Sequence, residues 1–457
     1  MDEARDFSSF PENAWHALVH VCQRWRFVVF ASPHRLDLHI LCTKRNQVEK
    51  DLNIWPQLPI AIDAFSDTLP MPGATNIIAA LKHHDRLSRI IITGVPNSLL
   101  EEFGAMAGPF PALTKLALES NEASHASPPV LPDSFLLGSA PRLQSLSLRG
   151  ISFPALPKLF LSTSDLVELY FHLVPPSGYI SPEVLVTSLS VLPRLKILSI
   201  DPSLESPPSW ADRENQHPPL FTPVLLPSLT NFDFKGHSEY LERIVSQIEC
   251  PLLDRTWITF FDQSTFDVPQ LRHLMNRTEA FKAPHRADIE FSENCVRVAL
   301  FQRKGIVGRR KLEVCIPCSR PSWQVSTIIY IFSTLLPPLP TLERLDIYED
   351  TLCKPQWQDN VVNTGTQWLQ LFYPFTSVKN LFLCQKLARL IVPALQELTE
   401  GRVTEVLPAL QNIFLRRLGL GQLDPSETVQ EAFSQFITER QLSDCPVVVH
   451  CEQGGSW

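Results

Sequence analysis

The chain has 457 residues, with 40 Lys plus Arg against 48 Asp plus Glu and a formal net charge of -8 at pH 7. So mild a balance, spread along the whole length, argues against a nucleic-acid coat or a polybasic membrane anchor. With 44% hydrophobic and 19% charged residues the composition is that of a folded chain able to bury a large core. Pro at 40 outnumbers Gly at 16, and 64 residues are Leu, a usage foreign to glycine-loop nucleotide folds. The ten cysteines (22, 42, 250, 295, 315, 318, 353, 384, 445 and 451) are scattered in a chain too long to need disulfide staples, and no signal peptide opens it. Free thiols in a reducing compartment are expected. The longest apolar stretch, Ile328 to Leu339, is interrupted by Ser333, Thr334, Pro337 and Pro338 and falls short of the roughly 20 residues of a membrane span. A cytoplasmic or nuclear protein is expected.

In chain order, residues 15 to 41 come first, with Val21-Cys22-Gln-Arg24-Trp25-Arg26 followed by Arg35-Leu36-Asp37-Leu38. On a helix Leu18, Val21, Cys22, Trp25 and Val29 share one face, so this stretch reads as a short amphipathic helix and then a strand. Residues 42 to 86 read as a connecting segment and N-terminal cap. From residue 87 to 423 a phrase of the form P-x-L-x-x-L-x-L returns. Clear copies are Pro111-Ala-Leu113-Thr-Lys-Leu116-Ala-Leu118, Pro141-Arg-Leu143-Gln-Ser-Leu146-Ser-Leu148, Pro193-Arg-Leu195-Lys-Ile-Leu198-Ser-Ile200 and Pro227-Ser-Leu229-Thr-Asn-Phe232-Asp-Phe234. Pro340-Thr-Leu342-Glu-Arg-Leu345-Asp-Ile347, Thr376-Ser-Val378-Lys-Asn-Leu381-Phe-Leu383 and Pro408-Ala-Leu410-Gln-Asn-Ile413-Phe-Leu415 follow. Weaker copies fall at Leu87-Ile90-Ile92, Leu166-Leu169-Phe171, Leu253-Thr256-Ile258, Arg286-Ile289-Phe291 and Arg309-Leu312-Val314. The mean spacing is about 29 residues.

The x-L-x-L portion alternates with period two and predicts a short strand, while the proline stops the preceding helix. Between strands, Glu183 to Leu192, Glu239 to Ile248, Val325 to Leu336 and Leu387 to Glu400 carry apolar residues at helical spacing. This pattern resembles the leucine-rich repeats, at the upper end of their length range. The expected fold class is therefore α/β, a leucine-rich-repeat solenoid in which strands form one curved parallel sheet and helices line its outer side, a horseshoe. The family usually carries Asn three residues past the strand, and only Asn121 occupies that position, so turn stabilisation is expected to differ from the common type. Residues 424 to 457, with a helical run Glu427 to Arg440, are expected as a C-terminal cap.

The Val21-Cys22-Gln-Arg24-Trp25-Arg26 phrase with Arg35-Leu36-Asp37-Leu38 resembles the second half of an F-box. With Ile54-Trp55-Pro56 and Leu58-Pro59-Ile60 it looks like the F-box proteins with leucine-rich repeats abundant in mushroom-forming fungi. In that family the module docks a Skp-type adaptor of a cullin ubiquitin ligase, and the repeats hold the protein to be ubiquitinated. The resemblance assigns Leu18, Val21, Cys22, Trp25 and Val29 to packing or docking of the module. The Leu-Pro-x-Glu-Leu start of an F-box is missing, with only Phe10-Pro11-Glu12 in its place, so the module reads as truncated. A scaffold or adaptor unconnected to ubiquitin is the alternative.

No catalytic constellation is expected. Val447-Val-Val-His450-Cys451-Glu-Gln-Gly-Gly-Ser456-Trp457 resembles the start of a cysteine-phosphatase loop, but the phosphate-holding Arg position is Trp457 and no helix follows. A terminal strand is the expectation there. Cys315-Ile-Pro-Cys318, with Cys295 and His285 upstream, has knuckle spacing but neither a helix start nor two further ligands nearby, and His83-His84 reads as a solvated turn. No cofactor or metal is expected. Function should lie on side chains that alternate away from the core along the strands: Lys115, Glu119, Ser147, Arg149, Tyr170, His172, Ser199, Asp233, Lys235, Trp257, Asp346, Tyr348, Phe382, Phe414 and Arg416. Aromatic and arginine residues among mixed charges suit a protein partner, whereas a nucleic-acid groove would show a basic stripe.

Overall fold

A computed structural model describes residues 19, 21–31, 38–41, 48–54, 58–65, 73–105, 108–120, 129–133, 135–138, 140–202, 223–261, 267–303, 308–318, 320–350, 352–353, 355, 357, 364–398, 402–416 and 433–452. Two compact units divide the chain: Met1–Leu229 with Gln247–Cys250, and Thr230–Ser246 with Pro251–Trp457.

In the first unit the main sheet holds β1 (Leu38–Leu41), β2 (Ile60–Ala64), β3 (Leu87–Thr93), β4 (Lys115–Glu119), β5 (Ser145–Arg149), β6 (Glu168–Val174) and β7 (Ile197–Pro202), all parallel and side by side in chain order, and Val224–Leu225 pairs separately with Ile248–Glu249. Period-two alternation places every second residue on the core side. Ile62, Ile90, Leu116, Leu146, Leu169 and Leu198 stand in one register row, and each is fully buried. Helices between the strands turn apolar sides inward: Ile77, Ala80 and Leu81 from Ala74–Leu81, Leu99, Leu100 and Phe103 from Asn97–Ala105, Leu185, Val186 and Leu189 from Pro182–Leu189. The last of these begins where the sequence provides a stop and a cap, with Pro182 in the first turn and the Ser181 hydroxyl accepting from the Val184 amide at 3.3 Å.

The recurring proline has a defined place. Pro111, Pro141, Pro193 and Pro227 each follow the residue whose carbonyl accepts from the amide of the first repeat leucine: Leu113 donates to Phe110, Leu143 to Ala140, Leu195 to Leu192 and Leu229 to Leu226, at 3.3, 3.0, 3.2 and 3.3 Å. Proline therefore sits at the second position of a four-residue turn, where its fixed φ is already correct. Past the strands, main-chain bonds join one repeat to the next in place of asparagine side chains: Val95 donates to Glu119, Ser120 to Arg149 and Gly150 to His172, each at 2.9 Å. Asn121 lies outside the described residues.

The second unit holds β8 (Asn231–Gly236), β9 (Arg255–Phe260), β10 (Arg286–Phe291), β11 (Cys295–Gln302), β12 (Arg309–Pro317), β13 (Arg344–Glu349), β14 (Asn380–Cys384), β15 (Asn412–Arg416) and β16 (Val448–Glu452). Their spatial order is β8-β9-β12-β11-β10-β13-β14-β15-β16, and β11 runs antiparallel to both neighbours while every other pair is parallel. The strands expected at Arg286 and Arg309 are present, yet their order along the sheet is reversed. Only residues 292–294 separate β10 from β11, too few for a parallel crossover, so the chain closes a hairpin with Ser292 donating to the Cys295 carbonyl at 2.9 Å. The core row survives the reversal: Phe234, Ile258, Val314, Val298, Ile289, Ile347, Leu383 and Leu415 are in register, and all are buried.

The two ends of the array are built differently. β2 and its following helix precede Leu87, where the repeats are expected to begin; β2 pairs in parallel with β3, and all five of Ile60-Ala-Ile62-Asp-Ala64 are buried. At the other end the helix Ser434–Leu442 and β16, within the span expected as a cap, are fastened by Arg440. That side chain is fully buried, and its guanidinium donates to the carbonyls of Cys445, Val403, Leu407, Pro408 and Leu410 at 3.1 to 3.4 Å. Burial pulls its pKa down from the usual arginine value. Five carbonyls thus satisfy one cation without a carboxylate.

Removing the interior of one rung or this fastener has a measurable cost. Leu146→Ala is expected to lower unfolding free energy by about 2–5 kcal/mol in urea denaturation, and Arg440→Ala by about 3 kcal/mol or more because it orphans several buried carbonyls. Trp257→Ala, at a residue 45% exposed, should change stability by less than about 0.5 kcal/mol.

Candidate protein-binding face

The side chains opposite the core rows make an open face on the sheet of each unit. In the first unit the row Glu119, Arg149 and His172 is in register across β4, β5 and β6, and Ser147, Tyr170 and Ser199 form the neighbouring row. Arg149 Nε lies 3.1 Å from Glu119 Oε1 with both side chains half exposed, and Tyr170 stacks on His172 with ring centroids 6.0 Å apart. Farther along, Arg89 reaches Asp63 at 2.6 Å. Glu119, Arg149, Tyr170 and His172 are thus brought together, beside Lys115 at the opposite strand end.

In the second unit one row reads Asp233, Trp257, Glu313, Ala299, Asp288, Asp346, Phe382, Phe414 and His450. Trp257 stands out from it at 45% exposed, flanked by Asp233 and, one row on, Lys235 and Thr259. Burial pushes the Asp233 carboxyl up to about 6 despite the nearby Arg255. Toward the middle, acids and arginines alternate between rows. Arg286 forks onto Asp288 at 2.6 and 2.7 Å and reaches Asp346 at 3.1 Å, while Arg344 forks onto Asp346 at 2.7 Å through both nitrogens. Arg297 joins Glu290 at 2.6 Å to Glu313 at 3.0 Å, and Arg310 also pairs with Glu313. Asp346 is fully buried under these partners. Expected as a residue that touches a partner, it is instead the acid that anchors Arg286 and Arg344, because the flanking arginines fold over it. Tyr348, opposite Glu290, has its hydroxyl pKa raised by burial and by Asp288 and Glu290.

Beyond the acids the face becomes aromatic. Phe382, Phe414 and His450 stack in sequence with centroids 4.3 and 4.7 Å apart. The Arg344 and Arg416 guanidinium carbons lie 3.9 and 4.4 Å from the Phe382 centroid, a cation–π pair. His450 is held by Asn412 at 3.1 Å, which in turn donates to Asn380 at 2.9 Å. His450, Arg286, Arg297 and Arg344 were not among the expected face residues. Arg286-Ala-Asp288 and Arg344-Leu-Asp346 repeat one spacing on strands now known to be neighbours, a signal present in the sequence.

The N-terminal residues expected for packing or docking of the module are mostly exposed where they are described. Val19 is buried, but Val21 is 64% and Trp25 48% exposed, and Cys22, Phe27 and Val28 are exposed as well. The helix itself spans Gln23–Phe30. Leu18 and the side chain of Val29 lie outside the described residues, so the shared packing face is not seen; Val21, Cys22 and Trp25 face solvent. Cys451 is exposed on β16 opposite Leu415, and the residues after Glu452 lie outside the described set. Cys315 and Cys318 are buried, and no group of three or more His, Cys, Asp or Glu that could hold a metal ion occurs among the described residues. Nor is any helix there long and apolar enough to cross a membrane.

Asp288 gives the charged centre a pH signature. Its carboxyl is pushed up to about 6, first by burial and then by Asp346, against the pull of Arg286. A carboxyl whose folded pKa lies above its unfolded value near 3.8 binds protons more readily when folded, so its contribution to stability grows as pH falls from about 7 toward 4. The stability of wild type relative to Asp288→Asn should therefore rise over that interval by at most about 3 kcal/mol, read from urea midpoints at successive pH values.

No family model matches the chain, and no curated protein matches it. Among solved structures it is similar to the leucine-rich repeat-containing protein LegL7 from Legionella pneumophila, with 10% sequence identity and a TM-score of 0.30 over 90% of this chain and 99% of that one.

Proposed function

We propose that this is a non-catalytic repeat protein whose open sheet face binds another protein, and that it serves as the substrate-recruiting F-box subunit of a Skp/cullin-type ubiquitin ligase in the cytoplasm or nucleus. The observation that carries the binding part is the grouping of Glu119, Arg149, Tyr170 and His172 in the first unit, and of Asp233, Lys235 and Trp257 in the second, with mixed charge and accessible rings. Such aromatic, arginine-containing patches are where protein interfaces concentrate their binding energy. Interleaved acids argue against phosphate contacts.

Support for the ligase part comes from the N-terminal helix. Trp25, Phe27 and Val28 on a helix of eight residues, with Val21 just ahead of it, expose large apolar surface, a cost in water that a docking partner would remove. The F-box resemblance names that partner as a Skp-type adaptor. The alternative, a scaffold unconnected to ubiquitin, uses the same face and leaves the helix for another protein.

Affinity purification of the tagged full chain from cells separates these readings. A Skp protein and a cullin should accompany wild type and fall at least tenfold with Trp25→Ala, while proteins held by the sheet face stay. Recovery of face-bound proteins with no ligase subunit would favour the scaffold reading, and an unchanged adaptor yield with Trp25→Ala would remove the helix from the account.

A further inference from the structure

The hairpin that reverses the strand order also brings two cysteines together. Cys295 begins β11 opposite Pro317, and Cys315 on β12 is opposite Arg297, so the two thiols are diagonal neighbours across an antiparallel pair. The Ser292 hydroxyl lies 3.0 Å from Cys295 Sγ and also receives the Cys295 amide at 3.2 Å, which fixes the thiol at the turn. Arg297, two residues along the same strand and face, adds positive charge, though it is shared with Glu290 and Glu313. Cys295 is partly exposed and Cys315 buried, and neither is in a disulfide.

We infer that Cys295 and Cys315 form a peroxide-reactive pair, with Cys295 the attacking thiolate and Cys315 the resolving thiol. Three features of the turn favour charge on Cys295: the Cys315 thiol, the Ser292 hydroxyl and the Arg297 guanidinium. Together they pull its pKa below the ordinary thiol value, while the Cys295 sulfur and burial raise that of Cys315. In the first step the Cys295 thiolate attacks one oxygen of hydrogen peroxide; an S–O bond forms, the O–O bond breaks, and hydroxide leaves and takes up a proton as water. In the second, Cys315 attacks the resulting sulfenic sulfur; the S–S bond forms, the S–O bond breaks and a second water departs. Two thiols give up two electrons and one peroxide becomes two waters. A monothiol such as glutathione reverses the bond by thiol–disulfide exchange. The two cysteines are diagonal neighbours only while their strands stay paired, so the reaction also reports the hairpin. This inference is independent of what the open face binds.

The test uses the full folded chain, hydrogen peroxide, and peptide mapping after alkylation. Wild type should yield a Cys295–Cys315 cross-linked peptide. Cys315→Ser should instead accumulate sulfenic acid on Cys295, captured by dimedone, and Cys295→Ser should leave Cys315 unoxidised. In Cys315→Ser the partner thiol is lost, so the pH test is made on wild type: alkylation of Cys295 should have its midpoint below the ordinary thiol value of about 8.5. Absence of the cross-linked peptide, or a Cys295 midpoint at the ordinary thiol value, would overturn the inference, and either result leaves the protein-binding reading untouched.

Discussion

Everything in both units depends on one constraint: successive strands pair in register, so that the buried side chain of each lies directly beside the buried side chain of the next. A slip of one residue would move a whole row from core to solvent. The rows tolerate leucine, isoleucine, valine and phenylalanine alike, since Leu146 and Phe234 hold equivalent places, but they do not tolerate a change of phase. Even β11, which runs the opposite way, keeps Val298 between Val314 and Ile289. Phase, more than leucine itself, is what the repeated phrase encodes.

The same phase fixes the open face. Residues that alternate with the core rows have no choice but to stand together, and the chain uses them in two ways. Around Tyr170 and Trp257 they remain accessible, as a binding surface requires. Across β10 to β14 they neutralise one another: Asp346 lies beneath Arg286 and Arg344, whose planar guanidinium groups satisfy two carboxylates at once. Such a buried ionic centre contributes modest net stability for its desolvation cost, and its geometry orients Arg344 and Arg416 over Phe382.

Much of this was legible in the sequence. Every quoted repeat phrase falls on a strand, the helices at Pro182, Ser238, Pro321 and Gln385 lie where apolar spacing put them, and the face residues Glu119, Arg149, Tyr170, His172 and Trp257 follow from register alone. What escaped has physical reasons. β2 lacks leucine, and β11 lacks both proline and the preceding turn; all of Ile60 to Ala64 and three successive residues of β11, Val298 to Leu300, are buried, so a search for the alternating phrase passes over both. The burial of Asp346 depends on which strands are neighbours, and that depends on a hairpin of three linking residues whose effect on strand order no periodicity records. For the N-terminal helix, amphipathic spacing identifies a face but cannot say whether the chain itself covers it, and Trp25 is left in solvent.

Hydroxyl-radical footprinting of the full chain, free and bound to a protein captured with it, reads the face most directly. If the open sheet face is the binding surface, labelling of Tyr170, His172 and Trp257 falls on complex formation, while exposed residues on the helical side such as Leu161, Trp323 and Tyr373 label as before. Protection of Leu161, Trp323 and Tyr373 with Tyr170 and Trp257 unchanged would place binding on the helices and contradict the account.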